Sequence, residues 1–183
     1  MKRSEKADEI LDIAEEMARQ GGYNNFSFRE IAKAVGVKSS SVHYHFPTKD
    51  ELGAAVVQRY TDRFLDALGD PNDLDNPKVA IERYIDLYRK ALIEDELMCL
   101  CGIMGAEIEA LPPSVGEEAK KFFERNVTWL IAALSYNEAS TPAEDLKSRS
   151  LHIIATLEGA MIVARSLEDH KIFESVVSQI QYP

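Results

Sequence analysis

Between Ser27 and Lys49 the chain reads SFREIAKAVGVKSSSVHYHFPTK, two short helical patterns on either side of one break. The first opens with Ser27-Phe28-Arg29-Glu30, a capping box in which the serine hydroxyl takes an orphan backbone N–H and Glu30 reaches back. Phe28, Ile31, Ala32 and Val35 follow at helical spacing. Gly36 then stands where the chain must turn sharply, and a residue without Cβ reaches positive φ at little cost. Val37 plugs the angle between the two helices. The second pattern, Ser39 to Phe46, gives only Val42, Phe46 and one ring an apolar duty and leaves an exposed polar face. Pro47 stops it, and Thr48-Lys49-Asp50-Glu51 is a second capping box that starts the next helix. The stretch predicts a helix-turn-helix inside a small helical lobe.

That polar face has the chemistry of a DNA reader. Small hydroxyl residues at a helix N-terminus allow close approach to a duplex, while His and Tyr donate to phosphate oxygens at longer reach. Lys49 is left free at a positive helix N-terminus, a favourable place for a phosphate. The competing reading is a plain polar three-helix lobe. Packing alone gives no reason for a His-Tyr-His helix between two well-capped neighbours.

Gly21-Gly22-Tyr23, Ser27 to Ala32, Val35-Gly36-Val37, Tyr44-His45-Phe46 and Lys49 to Leu52 together form a specific signature. On these residues the chain resembles the tetracycline-repressor (TetR) family of one-component regulators, from about Ile10 to Leu52. The resemblance implies a symmetric homodimer, an N-terminal DNA-binding domain and a larger helical C-terminal domain that holds an inducer. Carried over by position, the DNA contacts are Ser27 and Arg29 on the supporting helix, Ser39, Ser40, Ser41, His43, Tyr44 and His45 on the recognition helix, and Lys49 just beyond. Two positions depart from the family pattern. His43 stands where Tyr is usual, which keeps a phosphate donor and adds sensitivity to pH. Lys38 stands where a capping residue is common, leaving Ser39 as the candidate cap, a role that would take its hydroxyl away from DNA.

The formal net charge of −10 argues at first against a nucleic-acid partner. Residues 1–60, however, carry as many basic as acidic side chains, so the whole excess lies in the remainder. A neutral reading head on an acidic body still binds phosphate locally, and the body discourages indiscriminate sticking to DNA. No run of about 18 apolar residues exists and the N-terminus has no apolar signal region, which predicts a soluble, cytoplasmic protein with no membrane partner.

Residues 1–20 form an amphipathic pattern on Ile10, Ile13, Ala14 and Met17, closed by Gly21-Gly22. Its basic start, Lys2, Arg3 and Lys6, is either a solvated end or a phosphate contact. From Glu51 the next helix carries Leu52, Val56, Tyr60 and Phe64 to about Leu68, common to both lobes and a natural lever between them. The segment 69–77 is a loop by composition, acidic but without the spacing of a calcium site. Asn76 and Pro77 read as the N-cap and first position of a helix with Ile81, Tyr84, Ile85, Tyr88 and Leu92 on one stripe. The two tyrosines are either core with wet hydroxyls or the polar handles of a ligand pocket.

Cys99 and Cys101 invite a metal or disulfide reading within 96–111. If that segment is helical, residues two apart point to nearly opposite sides and share neither a metal nor a bridge. Two buried small hydrophobes are the ordinary reading. The alternative is a thiol sensor of electrophiles or oxidants, although the sequence supplies no evident thiolate-stabilising partner. Pro112-Pro113 breaks the helix and Ser114 to Glu117 caps the next, which bears Phe122, Phe123, Trp129 and Leu130. Large aromatics beside Gly102 and Gly105 suit a core and an apolar or aromatic ligand equally, as do Met98, Met104 and Met161.

Thr141-Pro142-Ala143-Glu144 caps a long helix to about Leu167 with two apolar stripes, Leu151, Ile154, Leu157 and Met161 against Ile153, Ala160, Ala164 and Leu167. A last helix spans about 171–181. A helix with two apolar faces needs two neighbours, so this pair is expected to form half of a four-helix dimer interface.

The fold expected is all-α, with a helix-turn-helix DNA-binding domain over 1–50 and a helical ligand-binding and dimerisation domain over 51–183. Candidate ligand residues are Tyr60, Phe64, Tyr84, Tyr88, Cys101, Met104, Phe122, Trp129 and Met161. The partners are a palindromic double-stranded operator, a small apolar or aromatic inducer and a second copy of the chain. The four histidines, His43, His45, His152 and His170, offer no nucleophile–base set near either cysteine, so no enzyme, metal or cofactor is expected.

Overall fold

The computed structural model describes residues 4–74, 76–136 and 142–180. Among the described residues every regular element is helical: α1 Glu5–Gly21, α2 Phe28–Val35, α3 Ser39–His45, α4 Lys49–Leu68, α5 Pro77–Arg89, α6 Leu100–Ala106, α7 Pro113–Leu134, α8 Ala143–Ser166 and α9 Lys171–Val177. They form two compact units, one of residues up to Asp62 with Leu100–Phe122, the other of Arg63–Cys99 with residues from Phe123 onward.

In the first unit α1 starts at Ser4, whose hydroxyl accepts from the Ala7 N–H at 3.3 Å. Lys2 and Arg3 lie outside the described residues. The inward stripe of α1 is Ile10, Leu11, Ala14 and Ala18, while Ile13 and Met17 lie at its half-buried margin. Arg59 of α4 reaches back across α1, with Nη2 2.8 Å from Asp12 and 3.5 Å from the buried Glu15. Arg19 lies against the same Glu15 and over the Tyr60 ring. Breaking one member would strand a charge that water reaches poorly, so the set fixes the register of α1 on α4.

In the second unit Asn76 caps α5 through the Val79 N–H at 3.1 Å, with Pro77 at the first helical position as expected. The core combines Phe64 and Leu68 with Ile81, Tyr84, Ile85 and Tyr88 of α5, Trp129 and Leu130 of α7, and Ile153, Ile154, Leu157 and Met161 of α8. Arg89 grips Glu174 of α9 with two hydrogen bonds, at 2.7 and 3.0 Å, and also pairs with Asp86.

Four local readings change. The segment 96–111 is not one helix. Beyond α5 the chain makes a single π-turn over Lys90–Glu94, Glu96 takes φ 55°, and α6 begins only at Leu100. Cys99 therefore precedes the helix, and both cysteines are buried and unbridged. Pro113, not Ser114, opens α7: the Val115 and Gly116 N–H groups return to the Pro112 carbonyl at 3.0 Å, and a proline needs no donor at that place. Pro142 stands at the start of α8, and the expected cap Thr141 lies outside the described residues. The two apolar stripes of α8 are largely inside, but Leu151 and Leu167 are exposed, together with Ile162 and Val163.

Candidate functional site

The helix-turn-helix is built by its caps. Ser27 Oγ accepts from the Glu30 N–H at 3.3 Å and donates to Glu30 Oε2 at 2.6 Å, closing the box ahead of α2. Gly36 takes φ 75° and ψ 32°, and the N–H groups of Gly36 and Val37 both return to the Ala32 carbonyl. That left-handed turn sets α3 across α2, where Ile31, Ala32 and Val42 are buried. The N-cap of α3 is Lys38, which makes no side-chain capping bond. Ser39 is the first helical residue, so its hydroxyl is not consumed as a cap, contrary to the sequence expectation.

One face of α3 points away from the unit. Tyr44 is 83% exposed, Ser40 and His43 are exposed, and Ser39, Ser41 and His45 are half-buried. The His43 ring packs edge-on against Phe28 at 4.4 Å, and its Nδ1 lies 3.4 Å from the Pro47 carbonyl. A carbonyl only accepts, so in this contact Nδ1 is the donor. Arg29 is exposed on α2.

Lys49 is not the free cation that the sequence suggests. Its ammonium lies 4.4 Å from the centroid of Tyr23 and 4.7 Å from that of Phe26, over both rings. Burial lowers its pKa, while Glu30, Asp50 and Glu107 act the other way. The Tyr23 hydroxyl donates to Asp50 at 2.9 Å, and burial, reinforced by that bond, raises the phenol. The Tyr23 backbone N–H donates to Glu107 at 3.0 Å, just past the end of α6. Gly22, at φ 85° and ψ −173°, lies so close that a Cβ there would stand 2.1 Å from Glu107 Oε1. Sequence periodicity gives no hint of this contact between residues 84 apart.

The candidate ligand residues divide between the units. Tyr60, Cys101, Met104 and Phe122 are buried in the first, with the Tyr60 and Phe122 rings 5.8 Å apart. Phe64, Tyr84, Tyr88, Trp129 and Met161 are buried in the second. There Phe64, Tyr84 and Tyr88 meet mutually at 5.6–5.8 Å, and Trp129 stacks on Tyr84 at 5.9 Å. Neither tyrosine hydroxyl is wet: Tyr84 donates to the buried Asn126 at 2.9 Å, and Tyr88 donates to Glu158 at 3.1 Å.

Glu158 is the residue that sequence reasoning missed. One of its oxygens takes the Tyr88 hydroxyl, and the other, Oε2, is enclosed without a hydrogen-bond partner. Burial pushes its carboxyl up to about 7, against weaker opposing hydrogen bonds from Cys99 and Tyr88. A signal was present, for Glu158 is the one acid on the stripe that Ile154 and Met161 share. The group beside Cys99 is thus a carboxyl, the opposite of what stabilises a thiolate, and the thiol-sensor alternative is not favoured. An open groove of about 670 Å³ on the second unit touches Trp129 alone among the candidate residues. No group of three metal-ligating side chains exists among the described residues, and no helix there is long and apolar enough to cross a membrane.

A short exposed helix of hydroxyl, imidazole and phenol groups, braced on a capped supporting helix, defines a helix-turn-helix protein of the DNA-binding class. The profile of the family "Bacterial regulatory proteins, tetR family" matches residues 10–56. The crystal structure of a TetR transcriptional regulator from Legionella pneumophila is 34% identical, superposes with a TM-score of 0.90, and the match covers 98% of this chain and 97% of that one. This chain belongs to the TetR family of DNA-binding transcriptional regulators, which are not enzymes. The transcriptional repressor DhaR of Mycobacterium sp. (strain GP1) is 24% identical over 191 residues, all of this chain and 96% of that protein. The biofilm-operon negative transcriptional regulator IcaR of Staphylococcus epidermidis is 30% identical over 94 residues, covering 44% of this chain and half the length of that protein.

Proposed function

We propose that the protein is a homodimeric, cytoplasmic repressor that releases a palindromic operator when a small apolar or aromatic inducer binds. The observation that carries the reading is the outward face of α3, with Ser40, His43 and Tyr44 exposed around a buried Val42. Residues 1–50 hold the DNA: Ser39, Ser40, Ser41 and Tyr44 approach base edges and phosphates, while Ser27, Arg29, His43, His45 and Lys49 hold the backbone. Lys49 would leave the rings of Tyr23 and Phe26 to do so. Residues 51–183 take the inducer and the partner copy.

Dimerisation is supported by Leu151, Ile162 and Val163, each 45–51% exposed on α8, and by Gly159, which has open space where a Cβ would stand. A dimer would place two α3 helices about one DNA turn (~34 Å) apart or somewhat more, in successive major grooves. In the second unit the buried rings Phe64, Tyr84, Tyr88 and Trp129, with Met161, suit an inducer with an apolar body, and in the first unit Tyr60 and Phe122, with Cys101 and Met104, offer the same chemistry. Since α4 begins in the first unit and ends in the second, an inducer that prefers one position of α4 shifts operator affinity. A few kcal/mol of differential affinity suffices.

The test is retention of sheared DNA from the protein's own source, with sequencing of what is held, before and after adding fractions of a small-molecule extract. Enrichment of one or a few palindromes, released by a fraction, is expected. Enrichment that no fraction reverses would contradict ligand control, and uniform, salt-labile retention would contradict a specific operator.

A further inference from the structure

Glu158 presents a built but incomplete polar site. Oε1 takes the Tyr88 hydroxyl at 3.1 Å, the Cys99 thiol also bonds the carboxyl, and Oε2 is enclosed with no donor of its own. A buried acceptor without a partner is costly, and native proteins keep few such groups. Protonation removes the charge and still leaves Oε2 without a partner inside the chain. A donor arriving from outside the chain would supply one.

The surroundings narrow what that donor is. Tyr88 is packed with the rings of Phe64 and Tyr84, so the carboxyl stands at the edge of an aromatic cluster whose faces attract cations. One carboxyl, one phenol and one thiol make no metal shell, and no group of three metal-ligating side chains occurs among the described residues. Residue 158 as a whole is only half-buried although Oε2 is enclosed, and Ala155 and Ile162 beside it on α8 are exposed in the single chain, on the side proposed above to face the partner copy. The neighbouring backbone is irregular in a way common at functional sites: α5 ends at Arg89, next to Tyr88, and widens into the π-turn from Lys90, and Glu96 takes a left-handed φ of 55°. Arg165 Nη1 braces that bend by donating to the Glu96 carbonyl at 2.7 Å.

We propose that the Glu158 carboxyl is the polar anchor of the ligand site, and that the ligand carries a protonated nitrogen on an aromatic or apolar body. The proposal rests on the ligand-responsive reading above and names the class of molecule that reading leaves open. An ammonium donates to Oε2 and faces the ring of Tyr88, and the charged pair is stronger than a neutral contact. Since burial pushes the carboxyl up to about 7, the site is partly protonated at neutral pH. Binding of the cation ejects that proton to solvent, and the carboxylate left behind pairs with the ammonium.

The experiment screens matched pairs of probes, each an arylalkylamine and the alcohol in which hydroxyl replaces the amino group, by thermal shift. Hits are followed by calorimetry at pH 7 in two buffers of different ionisation heat. The amines are expected to bind in preference to their alcohols, to release a fraction of a proton, and to bind Glu158→Gln about tenfold more weakly or worse. Amine binding without proton release, or unchanged in Glu158→Gln, overturns the proposal. The proton count needs no variant and stands even if Glu158→Gln folds poorly. Alcohols binding as well as amines would overturn the ligand class and leave ligand control intact. Binding of neither set would remove the proposal together with the ligand-responsive reading beneath it.

Discussion

At Glu158 a carboxyl that normally titrates near 4.5 is pushed by burial up to about 7, and the consequence for stability has a definite sign. Between those values the folded chain holds a proton that the unfolded chain has lost, so stability falls as pH rises through the window. Below the window the cost vanishes. Above it the cost reaches about 3 kcal/mol. Glu158→Gln, which keeps an acceptor for Tyr88, should therefore be more stable than the parent in urea unfolding at about pH 8 and lose that advantage near pH 4. A constant difference between the two proteins across that range would mean the carboxyl is not held out of water. Lys49→Ala should weaken binding to all DNA sequences and reduce the salt slope by about 1, and it should cost roughly 0.5–1 kcal/mol of stability by removing the cation from Tyr23 and Phe26. A stability loss with an unchanged salt slope would make Lys49 a brace of the α1–α2 turn and no phosphate contact.

The elements that could be read in advance are those fixed by local chemistry. Ser27 with Glu30, Thr48 with Glu51, Asn76 with Pro77, and Gly36 each act within four residues, and each stands where its chemistry requires. What could not be read depends on distant partners or on backbone irregularity. The run 96–111 has a helical pattern throughout, yet its first residues are used to leave the π-turn, where the Leu97 N–H reaches the Ala91 carbonyl at 2.8 Å. The grip of Glu107 on the Gly22-Tyr23 turn joins segments that no periodicity connects. It yields a prediction for α6, which that bond ties to the helix-turn-helix. Gly22→Ala demands a conformation nearly restricted to glycine, costing about 1–3 kcal/mol, and expels the Glu107 carboxylate. Glu107→Ala leaves the Tyr23 N–H unpaired at a similar cost, whereas Glu107→Gln retains an acceptor. Thermal unfolding should rank the single variants with Glu107→Gln nearest the parent. Equal loss in Glu107→Gln and Glu107→Ala would shift the weight from the hydrogen bond to the charge.

For the molecule as a whole the account depends on two copies acting together. The exposed apolar residues of α8 are not needed by the unit that carries them, so Leu151→Glu should change monomer stability by no more than about 0.5 kcal/mol. It should nonetheless convert a dimer to a monomer in sedimentation and abolish operator retention, because one α3 helix alone makes half the contacts. A variant that stays dimeric would place the interface elsewhere. The acidic excess outside residues 1–60 does not oppose binding when a neutral head meets the duplex. Whether the outward face of α3 reads DNA in a symmetric pair is decided by selecting preferred duplexes from a randomised pool at near-physiological salt. The account predicts an enriched site of two inverted half-sites whose centres lie about one helical turn apart or somewhat more, with base preferences altered by Ser40→Ala or Tyr44→Ala. Enrichment of a single unrepeated site, or preferences unchanged in both variants, would contradict it.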